Sequence, residues 1–406
     1  MFPKEGGPWL EVLKSLWSPT IWVFLAALML SLLGTPLFRW LAMRRGLWDQ
    51  PDDAVKIHRR PIPYLGGCAI WVAWTVPVLV YYLATGAEAK WNAMAALVGG
   101  GVVAFVTGLV DDLKDIRPRT KLIGQALAGA ILLVGGIRWQ AYAVYPGIPL
   151  LDVGQDSWFV LAVCLAMHFL VVLGATNATN LLDGLDGLCS GVTAIISVGF
   201  LLLATALEAW ATYGQGAGAI EYEYTGLAIV VAFALAGAAI GFLPYNFKPA
   251  RIFMGDAGSV FIGYVLAAMM IMFASKFGMV KWFVGSLFIF GLPIFDTGLA
   301  AIRRVLNRRP IMMPDRSHLY NQLVDRLGLS VRMTVAVLYV LSALFVVAGL
   351  LVLYLKGRHA AILSGAIGTV FVGVAWRLGF LRMTPDEKAA ADRYLARKRG
   401  PPAGGY

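Results

Sequence analysis

Acidic and amide side chains gather in four short segments that interrupt an otherwise apolar chain. These segments read GLVDDLKDIRPRTK, NATNLLDGLDGL, PYNFKPARIFMGDAGS and RRPIMMPDRSHLYNQL. Carboxylate and amide oxygens are the hard ligands that Mg²⁺ takes, usually with one or two protein carboxylates and the phosphates of a substrate. The nearby lysines and arginines suit the remaining phosphate charge, since arginine can bind two oxygens at once. The mixture predicts a site for a metal ion and a diphosphate.

Each segment taken alone has an ordinary structural explanation. Adjacent Asp111 and Asp112 could be a solvated pair at the end of a helix, and Asp-Gly in DGLDG is a turn signal. Asp183 and Asp186 are three residues apart, however, so a helical turn would place both on one face with Asn180. All four segments would face the same aqueous compartment, and this joint occurrence favours a functional site.

Three further features lie near the last segment. His318 by itself is typical of an ordinary loop histidine, and the cations from Arg303 to Arg309 are mostly explained as determinants of membrane topology. Asp296 lies inside an apolar run two turns before Arg303, where a carboxylate is a functional candidate by default. A structural pair with a neighbouring helix explains Asp296 equally well.

The apolar runs between these segments predict the fold. The chain has 406 residues, of which 59% are hydrophobic and 14% are charged, whereas soluble globular chains carry roughly a quarter charged residues. A helix that crosses the hydrocarbon core needs roughly 20 mostly apolar residues. We therefore predict an all-α integral membrane protein with about eleven transmembrane helices. The expected spans lie near residues 18–38, 67–85, 92–110, 121–137, 158–176, 188–207, 225–243, 258–275, 282–302, 333–355 and 360–376.

Charge separates the loops into two alternating sets. One set is rich in lysine and arginine, and the other has scattered cations and one loop with Glu208, Glu221 and Glu223. The positive-inside rule places the basic loops in the cytoplasm, with the N-terminus outside and the C-terminus in the cytoplasm. We expect a polytopic membrane domain over residues 1–376, with active-site loops facing the cytoplasm, and a polar cytoplasmic tail over 377–406. A solvated charge run is the favoured interpretation of that tail.

Composition disfavours other classes. Cys68, Cys164 and Cys189 lie in separate apolar contexts, so neither a disulfide framework nor a zinc site is indicated. The net charge of +11 is explained by the basic loops, and no nucleic-acid partner is expected. The lack of a visible internal repeat is weak evidence against the paired halves of secondary transporters.

Five motifs occur in the order found in a known family. The stretch GLWDQPDDAVKIHRRPIPYLGG (46–67) precedes the four segments above. With these motifs the chain resembles the polyprenyl-phosphate N-acetylhexosamine-1-phosphate transferases, bacterial inner-membrane enzymes that start cell-envelope glycans such as O-antigen and teichoic acid linkage. The resemblance implies transfer of a sugar phosphate, expected to be GlcNAc-1-phosphate, from a UDP-N-acetylhexosamine to undecaprenyl phosphate with release of UMP. It also implies Mg²⁺ as cofactor, with Mn²⁺ as a substitute, and membrane lipid as a partner.

The resemblance implies catalytic roles for individual residues. Asp256 matches the principal Mg²⁺ ligand, and Asn180 and Asp183 match helpers in or near the metal shell. Asp111 and Asp112 match an essential pair, one of which is often assigned as the base for the lipid phosphate. A phosphate monoester has a second pKa of about 6 and is mostly deprotonated at neutral pH. The pair could therefore act by positioning the phosphate or the metal instead.

Other residues match substrate-binding positions. Lys121 matches a basic position that meets the diphosphate, and Asp186, Asn246 and Phe253 match positions that hold uridine, where an aromatic face can stack on the base. The first cytoplasmic loop and the last motif add three candidates for substrate binding: Lys56, His58 and Arg316.

The last motif departs from the family pattern. It usually reads His-x-His-His, whereas here His318 is followed by Leu319, Tyr320 and Asn321. His318 remains a catalytic candidate that can bind a phosphate or sugar oxygen, and the role of the two missing histidines is left open. The identity of the sugar and the formation of a homodimer are open as well.

The sister branch, which transfers phospho-N-acetylmuramoyl-pentapeptide, is the main alternative. Its Asp-Asp segment usually continues to a lysine where this chain has Asp115, so DDLKD favours the smaller donor. A membrane transporter is disfavoured because transport sites usually lie near the bilayer midplane, whereas these groups lie at one face. The CDP-alcohol phosphotransferases continue from Asp-Gly to Ala-Arg, whereas Leu185 and Asp186 follow here.

Overall fold

The protein is a bundle of helices with one short pair of strands. The computed structural model describes residues 7–50, 60–85, 91–139, 158–213, 224–274, 280–310, 318–385, 387–389 and 392. In chain order these residues form α1 (Gly7–Arg45), β1 (Trp48–Asp49), β2 (Ile62–Pro63), α2 (Gly66–Thr85), α3 (Trp91–Lys114), α4 (Pro118–Val134), α5 (Trp158–Leu182), α6 (Leu188–Tyr213), α7 (Thr225–Asn246), α8 (Gly255–Met272), α9 (Val280–Ile289), α10 (Gly291–Leu306), α11 (Leu319–Asp325), α12 (Val331–Tyr354) and α13 (Gly357–Arg377).

The helices are those of a multi-pass membrane protein. Nine helices of the described chain are long and apolar enough to cross a membrane, namely α1, α2, α3, α5, α6, α7, α8, α12 and α13. A helix satisfies its backbone hydrogen bonds internally, which lipid cannot do for it. The prediction of an all-α integral membrane protein is confirmed at this level, although β1 and β2 add a small strand pair. The count of eleven spans and the orientation of the termini stay predictions.

The span expected at residues 282–302 is broken into two helices. α9 and α10 meet at 73° around Phe290. Pro293 has no N–H group and cannot donate to the carbonyl of Ile289 one turn earlier, which interrupts the helical ladder at this point. The break gives the second half of the run, with Asp296, a direction of its own.

α8 lies at the centre of the bundle. Of its most apolar window 89% is buried, compared with 11% for α13, which therefore presents most of its surface outward. α8 packs against α2, α3 and α5, and small residues permit the close approach of these helices. An added Cβ on Gly67 would lie 2.7 Å from the Cα of Gly258, and one on Gly108 would lie 2.5 Å from the carbonyl carbon of Asp256. These contacts press the first turn of α8 against α2 and α3.

The strand pair forms a wall beside the beginning of α8. β1 and β2 are antiparallel. Beyond β2, the N–H of Phe253 donates to Pro63 O at 3.0 Å, and the N–H of Gly66 donates to Phe253 O at 2.9 Å. The chain that leads into α8 is thereby joined to β2 and to the beginning of α2.

The first part of the expected polar tail packs on the bundle. Phe380 and Leu381 are buried, and Glu387 pairs with Arg303 Nη2 at 2.7 Å and with Arg326 Nη2 at 3.2 Å. Glu387 departs from the solvated charge run expected for the tail, whereas Lys388 and Asp392 are exposed, and the division into a membrane domain and a tail stays a prediction. Arg303 is only 1% exposed, so it is not a solvated topology signal either. The pairing of Arg303 could not be predicted from the sequence, because its partner Glu387 lies 84 residues away along the chain.

Candidate active site

A polar cavity of about 350 Å³ opens where α3 and α5 end and α8 begins. Its lining includes five aspartates: Asp49, Asp112, Asp183, Asp186 and Asp256. Lys248 also lines it. Carboxylates thus outnumber cations in the described lining, and the cavity favours a ligand that brings positive charge or is bound through a cation.

Asp112 holds the first turn of α8 in place. Its two carboxylate oxygens accept hydrogen bonds from the backbone N–H groups of Asp256 at 2.8 Å and Ala257 at 2.9 Å. These are N–H groups that a helix leaves unpaired at its positive end. Gly255 has φ of +70°, and an added Cβ would lie 2.5 Å from Asp112 Oδ2, so glycine is required on both counts. Asp112 therefore positions Asp256.

The ammonium group of Lys121 joins three predicted site residues. Its Nζ lies 2.9 Å from Asp111 Oδ2, donates to Asn180 Oδ1 at 3.0 Å, and forms an ion pair with Asp256. Asn180 Nδ2 in turn donates to Asp256 Oδ1 at 2.7 Å. Asp111 Oδ1 also accepts from the N–H of Ile116 at 3.0 Å. The structure brings these four predicted side chains together, and their catalytic roles stay predictions.

Asp183 and Asp186 lie in a turn between two helices. α5 ends at Leu182 and α6 begins at Leu188, so the helical turn expected over the two aspartates is not formed. The Asp-Gly dipeptides form a turn here instead of continuing the helix. Gly187 has a φ of +82°, a conformation that favours glycine. Both carboxylates nevertheless line the cavity.

Asp183 carries the uncompensated charge of the cavity. Within the described residues its carboxylate has neither a hydrogen bond nor an ion pair, whereas Asp111, Asp112 and Asp256 each have at least one. Burial, followed by the nearby carboxylates of Asp256, Asp112 and Asp186, raises the pKa of Asp183 well above its ordinary value. A positive group bound beside Asp183 would offset both effects.

The predicted uridine-binding residues Asp186, Asn246 and Phe253 all line the cavity. Asp186 Oδ2 accepts from the N–H of Ala250 at 3.0 Å and pairs with Lys248 Nζ at 3.3 Å. Phe253 lines the cavity as well. The carboxylate of Asp186 thus has a cation partner, unlike that of Asp183.

Asn246 connects the two loops that contribute these residues. It is 2% exposed, its Oδ1 accepts from the N–H of Gly187 at 3.1 Å, and its Nδ2 donates to Ile252 O at 3.2 Å. Both ends of the amide are therefore engaged within the protein. These contacts show a structural role, and the predicted contact with uridine stays a prediction.

His318 is held by Asp296 behind the cavity. His318 Nδ1 lies 2.8 Å from Asp296 Oδ2, and the N–H of Leu319 donates to Asp296 Oδ1 at 2.5 Å. The interpretation of Asp296 as one member of a structural pair is thus confirmed. Tyr320 stacks on the His318 ring, and Tyr320 and Asn321 line the cavity.

Some cavity residues were missed by sequence reasoning. Asp49 and Tyr64 both line the cavity and both lie in the first of the five motifs (46–67), so that motif was a usable signal for the two residues. Of the predicted substrate-binding residues, three lie outside the described part of the chain: Lys56, His58 and Arg316.

The donor atoms of the cavity fit a hard divalent cation. Asp183, Asp256 and Asn180 offer carboxylate and amide oxygens, the donors that Mg²⁺ prefers, and no described cation pairs with Asp183. Among the described residues no group of three or more His, Cys, Asp or Glu side chains is already arranged as a metal site. Mg²⁺ is commonly held by one or two carboxylates together with substrate phosphates and water. The residues present therefore suit a site that the substrate completes.

Comparisons with known proteins place the chain in a class. Residues 94–274 match the profile of glycosyl transferase family 4. The chain is 31% identical over 322 residues to a probable undecaprenyl-phosphate N-acetylglucosaminyl 1-phosphate transferase of Bacillus subtilis, covering 79% of this chain and 82% of the relative. Together with the membrane-spanning helices and the cavity, these matches define an enzyme that transfers a phosphosugar.

Two further relatives represent two branches of this class. A decaprenyl-phosphate N-acetylglucosaminephosphotransferase of Mycobacterium tuberculosis is 30% identical over 387 residues, covering 90% of each chain. A phospho-N-acetylmuramoyl-pentapeptide-transferase of Cutibacterium acnes is 32% identical over 277 residues, covering 64% of this chain and 77% of the relative. The chain belongs to glycosyl transferase family 4, and the resemblance seen in the sequence motifs is confirmed.

Proposed function

We propose that the protein transfers N-acetylglucosamine-1-phosphate from UDP-N-acetylglucosamine to a polyprenyl phosphate such as undecaprenyl phosphate, and releases UMP. The observation that carries the proposal is the cavity in which the Asp183 carboxylate, unpaired among the described residues, lies near the cluster of Lys121, Asp256 and Asn180. Such a site combines donors for a divalent cation with a positive charge for phosphate. The reaction starts a cell-envelope polysaccharide at the cytoplasmic face of the bacterial inner membrane.

The bonds made and broken define the chemistry. An oxygen of the lipid phosphate attacks the sugar-bearing phosphorus, the bond from that phosphorus to the oxygen of UMP breaks, and the sugar C1–O bond stays intact. Phosphoryl transfer of this kind depends mainly on positioning and charge neutralisation. The residues of the cavity are suited to both tasks.

The acidic pair acts by positioning in this proposal. Asp112 binds two backbone N–H groups of α8 and so sets the place of Asp256, while Asp111 binds Lys121 and the backbone of Ile116. Both carboxylates are engaged by the protein, and the lipid phosphate is already mostly deprotonated at neutral pH. A base is therefore not needed, and the pair instead fixes Asp256 and Lys121.

Charge neutralisation falls to Lys121 and to a divalent cation. Mg²⁺ bound by Asp183 and Asp256, with Asn180 close by, would supply a Lewis-acid charge to the phosphoryl oxygens. Lys121 lies against two of these residues and would add a second positive charge for the diphosphate. Phe253 lines the cavity together with Asp186 and would offer an aromatic face to the uracil ring.

A second candidate is the transfer of phospho-N-acetylmuramoyl-pentapeptide. The similarity to the Cutibacterium acnes relative favours it. The Bacillus subtilis and Mycobacterium tuberculosis relatives are matched over more of this chain, and Asp115 stands where the muramoyl branch usually has lysine. Both observations support the smaller donor.

UMP release by the purified protein tests the proposal. We expect release from UDP-N-acetylglucosamine that requires undecaprenyl phosphate and Mg²⁺ and stops after chelation. Asp256→Asn should lower the rate by roughly 10³-fold, since it removes charge from both the metal and Lys121. The matched control is Asp392→Asn, a carboxylate to amide change at an exposed aspartate outside the cavity.

A panel of donors distinguishes the two candidates. Faster release from the muramoyl-pentapeptide nucleotide would replace the first candidate by the second. Folded wild-type protein that releases UMP from neither donor would overturn the proposed reaction class.

A further inference from the structure

Asp296 and His318 form a buried polar pair that the proposed reaction does not use directly. Asp296 is 1% exposed and His318 is 4% exposed. A buried carboxylate requires hydrogen-bond donors, and Asp296 accepts from His318 Nδ1 and from the backbone of Leu319. Because an ionised carboxylate can only accept, Nδ1 must carry a proton. A neutral His318 ring therefore exists as the Nδ1–H tautomer, with Nε2 unprotonated.

The same carboxylate fixes the beginning of α11. α11 begins at Leu319, the residue whose N–H is bound by Asp296. Tyr320 follows, and its ring is stacked on His318 with a centroid distance of 5.6 Å and an interplanar angle of 8°. Tyr320 lines the cavity. Asp296 thus contacts the two residues that precede Tyr320 and lies one layer behind the cavity wall.

Tyr320 reaches the acidic turn between α5 and α6. An added Cβ on Gly184 would overlap the Tyr320 hydroxyl, so this hydroxyl lies against the backbone between Asp183 and Asp186. The two flanking aspartates line the cavity with it. A phenol hydroxyl at this place can donate a hydrogen bond to an anionic or sugar oxygen of a ligand.

We propose that Asp296 is a positioning residue that holds His318 and the beginning of α11 so that the Tyr320 hydroxyl contacts a phosphate or sugar oxygen of the substrate. The identity of that substrate rests on the proposed function. The orientation of His318 by Asp296 does not, and it can be measured without turnover.

The tautomer of His318 provides the first test. The chain has four histidines, so in protein labelled with ¹⁵N-histidine the His318 signals are those lost in His318→Gln. Wild-type protein should show His318 with Nδ1 protonated. Asp296→Asn keeps the side-chain size and an acceptor for the Leu319 N–H, but its NH₂ group donates to Nδ1 and should shift the proton to Nε2. A wild-type ring with Nε2 protonated, or a tautomer indifferent to Asp296→Asn, would overturn the proposal.

Steady-state kinetics provide the second test. Asp296→Asn should lower kcat/KM by about 5- to 10-fold, no more than the loss of the Tyr320 hydroxyl that it positions. Tyr320→Phe should lower it by about 5- to 10-fold, as expected for one hydrogen bond. Because Asp296 acts through Tyr320, the two effects should be less than additive in the double variant. Asp392→Asn, the same carboxylate to amide change at an aspartate whose side chain is 67% exposed and lies outside the cavity, is the matched control and should behave as wild type.

The outcomes separate this proposal from the proposed function. Full additivity of Asp296→Asn and Tyr320→Phe, or wild-type kinetics in folded Asp296→Asn, would overturn the positioning role. If wild-type protein releases no UMP from any donor, the proposed function fails, and the tautomer measurement still decides whether Asp296 orients His318.

Discussion

The cavity and the docked tail use charged residues in opposite ways. The described lining of the cavity has five aspartates and one lysine, and the Asp183 carboxylate has no partner among the described residues. The tail clasp, which consists of Arg303, Arg326 and Glu387, places one carboxylate between two guanidinium groups. Arg303 and Arg326 also donate to the carbonyl of Arg382. The ion pairs of the tail clasp stabilise the fold. The aspartates of the cavity, which outnumber its cations, are suited to binding a cationic ligand.

Removing a carboxylate from the clasp and removing one from the cavity should have opposite effects on the stability of the folded protein. In the tail clasp, burial opposes ionisation, but hydrogen bonds from Arg303 and the Thr384 backbone outweigh it and lower the pKa of Glu387. In the cavity, burial and like charges raise the pKa of Asp183. A lowered carboxyl pKa stabilises the folded state at neutral pH, and a raised one destabilises it. Replacing Glu387 should therefore destabilise the folded protein at neutral pH, and replacing Asp183 should stabilise it.

The largest expected effect comes from Asp183→Asn. Turnover should fall by roughly 10³-fold because a donor for the cation is lost. The same change removes an unpaired carboxylate, so the metal-free protein should unfold at a temperature higher by about 2 °C or more. UMP release and thermal unfolding in detergent with chelator measure the two effects.

The pH dependence sharpens this prediction. Stability associated with a raised carboxyl pKa is fully present below the ordinary Asp value of about 3.9 and is lost as the pH rises through the folded pKa. The stabilisation by Asp183→Asn should therefore grow from acidic to neutral pH. A variant that is inactive and also less stable than wild type at neutral pH would show that Asp183 is matched by the protein after all.

Sequence reasoning succeeded where function is encoded in short segments. The apolar runs located the main helices, and the motifs contained the residues that meet at Lys121, because each lies at a helix end that the bundle brings to one face. It failed where the outcome depends on distant partners. Glu387 and Arg303 are 84 residues apart, and neither segment shows by its own pattern that it is buried with the other.

Local backbone chemistry explains the other differences. The run at 282–302 is apolar enough for one span, but Pro293 removes a hydrogen bond and the helix bends. Spacing suggested a helical turn over Asp183 and Asp186, but the glycines of DGLDG permit a turn, which still directs both carboxylates into the cavity. Side-chain periodicity predicts which residues share a face only when the backbone stays regular.

The next largest effect is expected for Glu387→Gln in the tail clasp. Arg303 is 1% exposed, so a neutral partner leaves a buried guanidinium poorly compensated. Unfolding should become easier by about 1–3 kcal/mol, with turnover at low temperature near the wild-type value. Thermal unfolding and limited proteolysis after residue 377 are the measurements.

One expected result would support the contrast between cavity and clasp, and one other result would modify it. The stabilisation by Glu387 is lost as the pH falls through its lowered folded pKa, so wild type and Glu387→Gln should converge in stability at acidic pH. If Glu387→Gln instead lost turnover without losing stability, the clasp would be part of the active site's support, acting through α10 and α11.

The smallest effect is expected for Asp392→Asn, which removes an exposed ion pair from the same tail. Comparing it with Glu387→Gln tests whether an ion pair must be buried to stabilise the fold. Asp392 pairs with Arg309 Nη1 at 2.6 Å, but the Asp392 side chain is 67% exposed. Exposed ion pairs are screened by water and salt and contribute little, so unfolding temperature and turnover should equal those of wild type. If Asp392→Asn destabilised the protein as much as Glu387→Gln, burial of Arg303 would not explain the effect of Glu387→Gln. The stabilisation would then have to come from packing of the whole tail segment on the bundle. Equal stability of wild type and Asp392→Asn, with a less stable Glu387→Gln, would instead show that a matched charge stabilises this fold only where water is excluded from it.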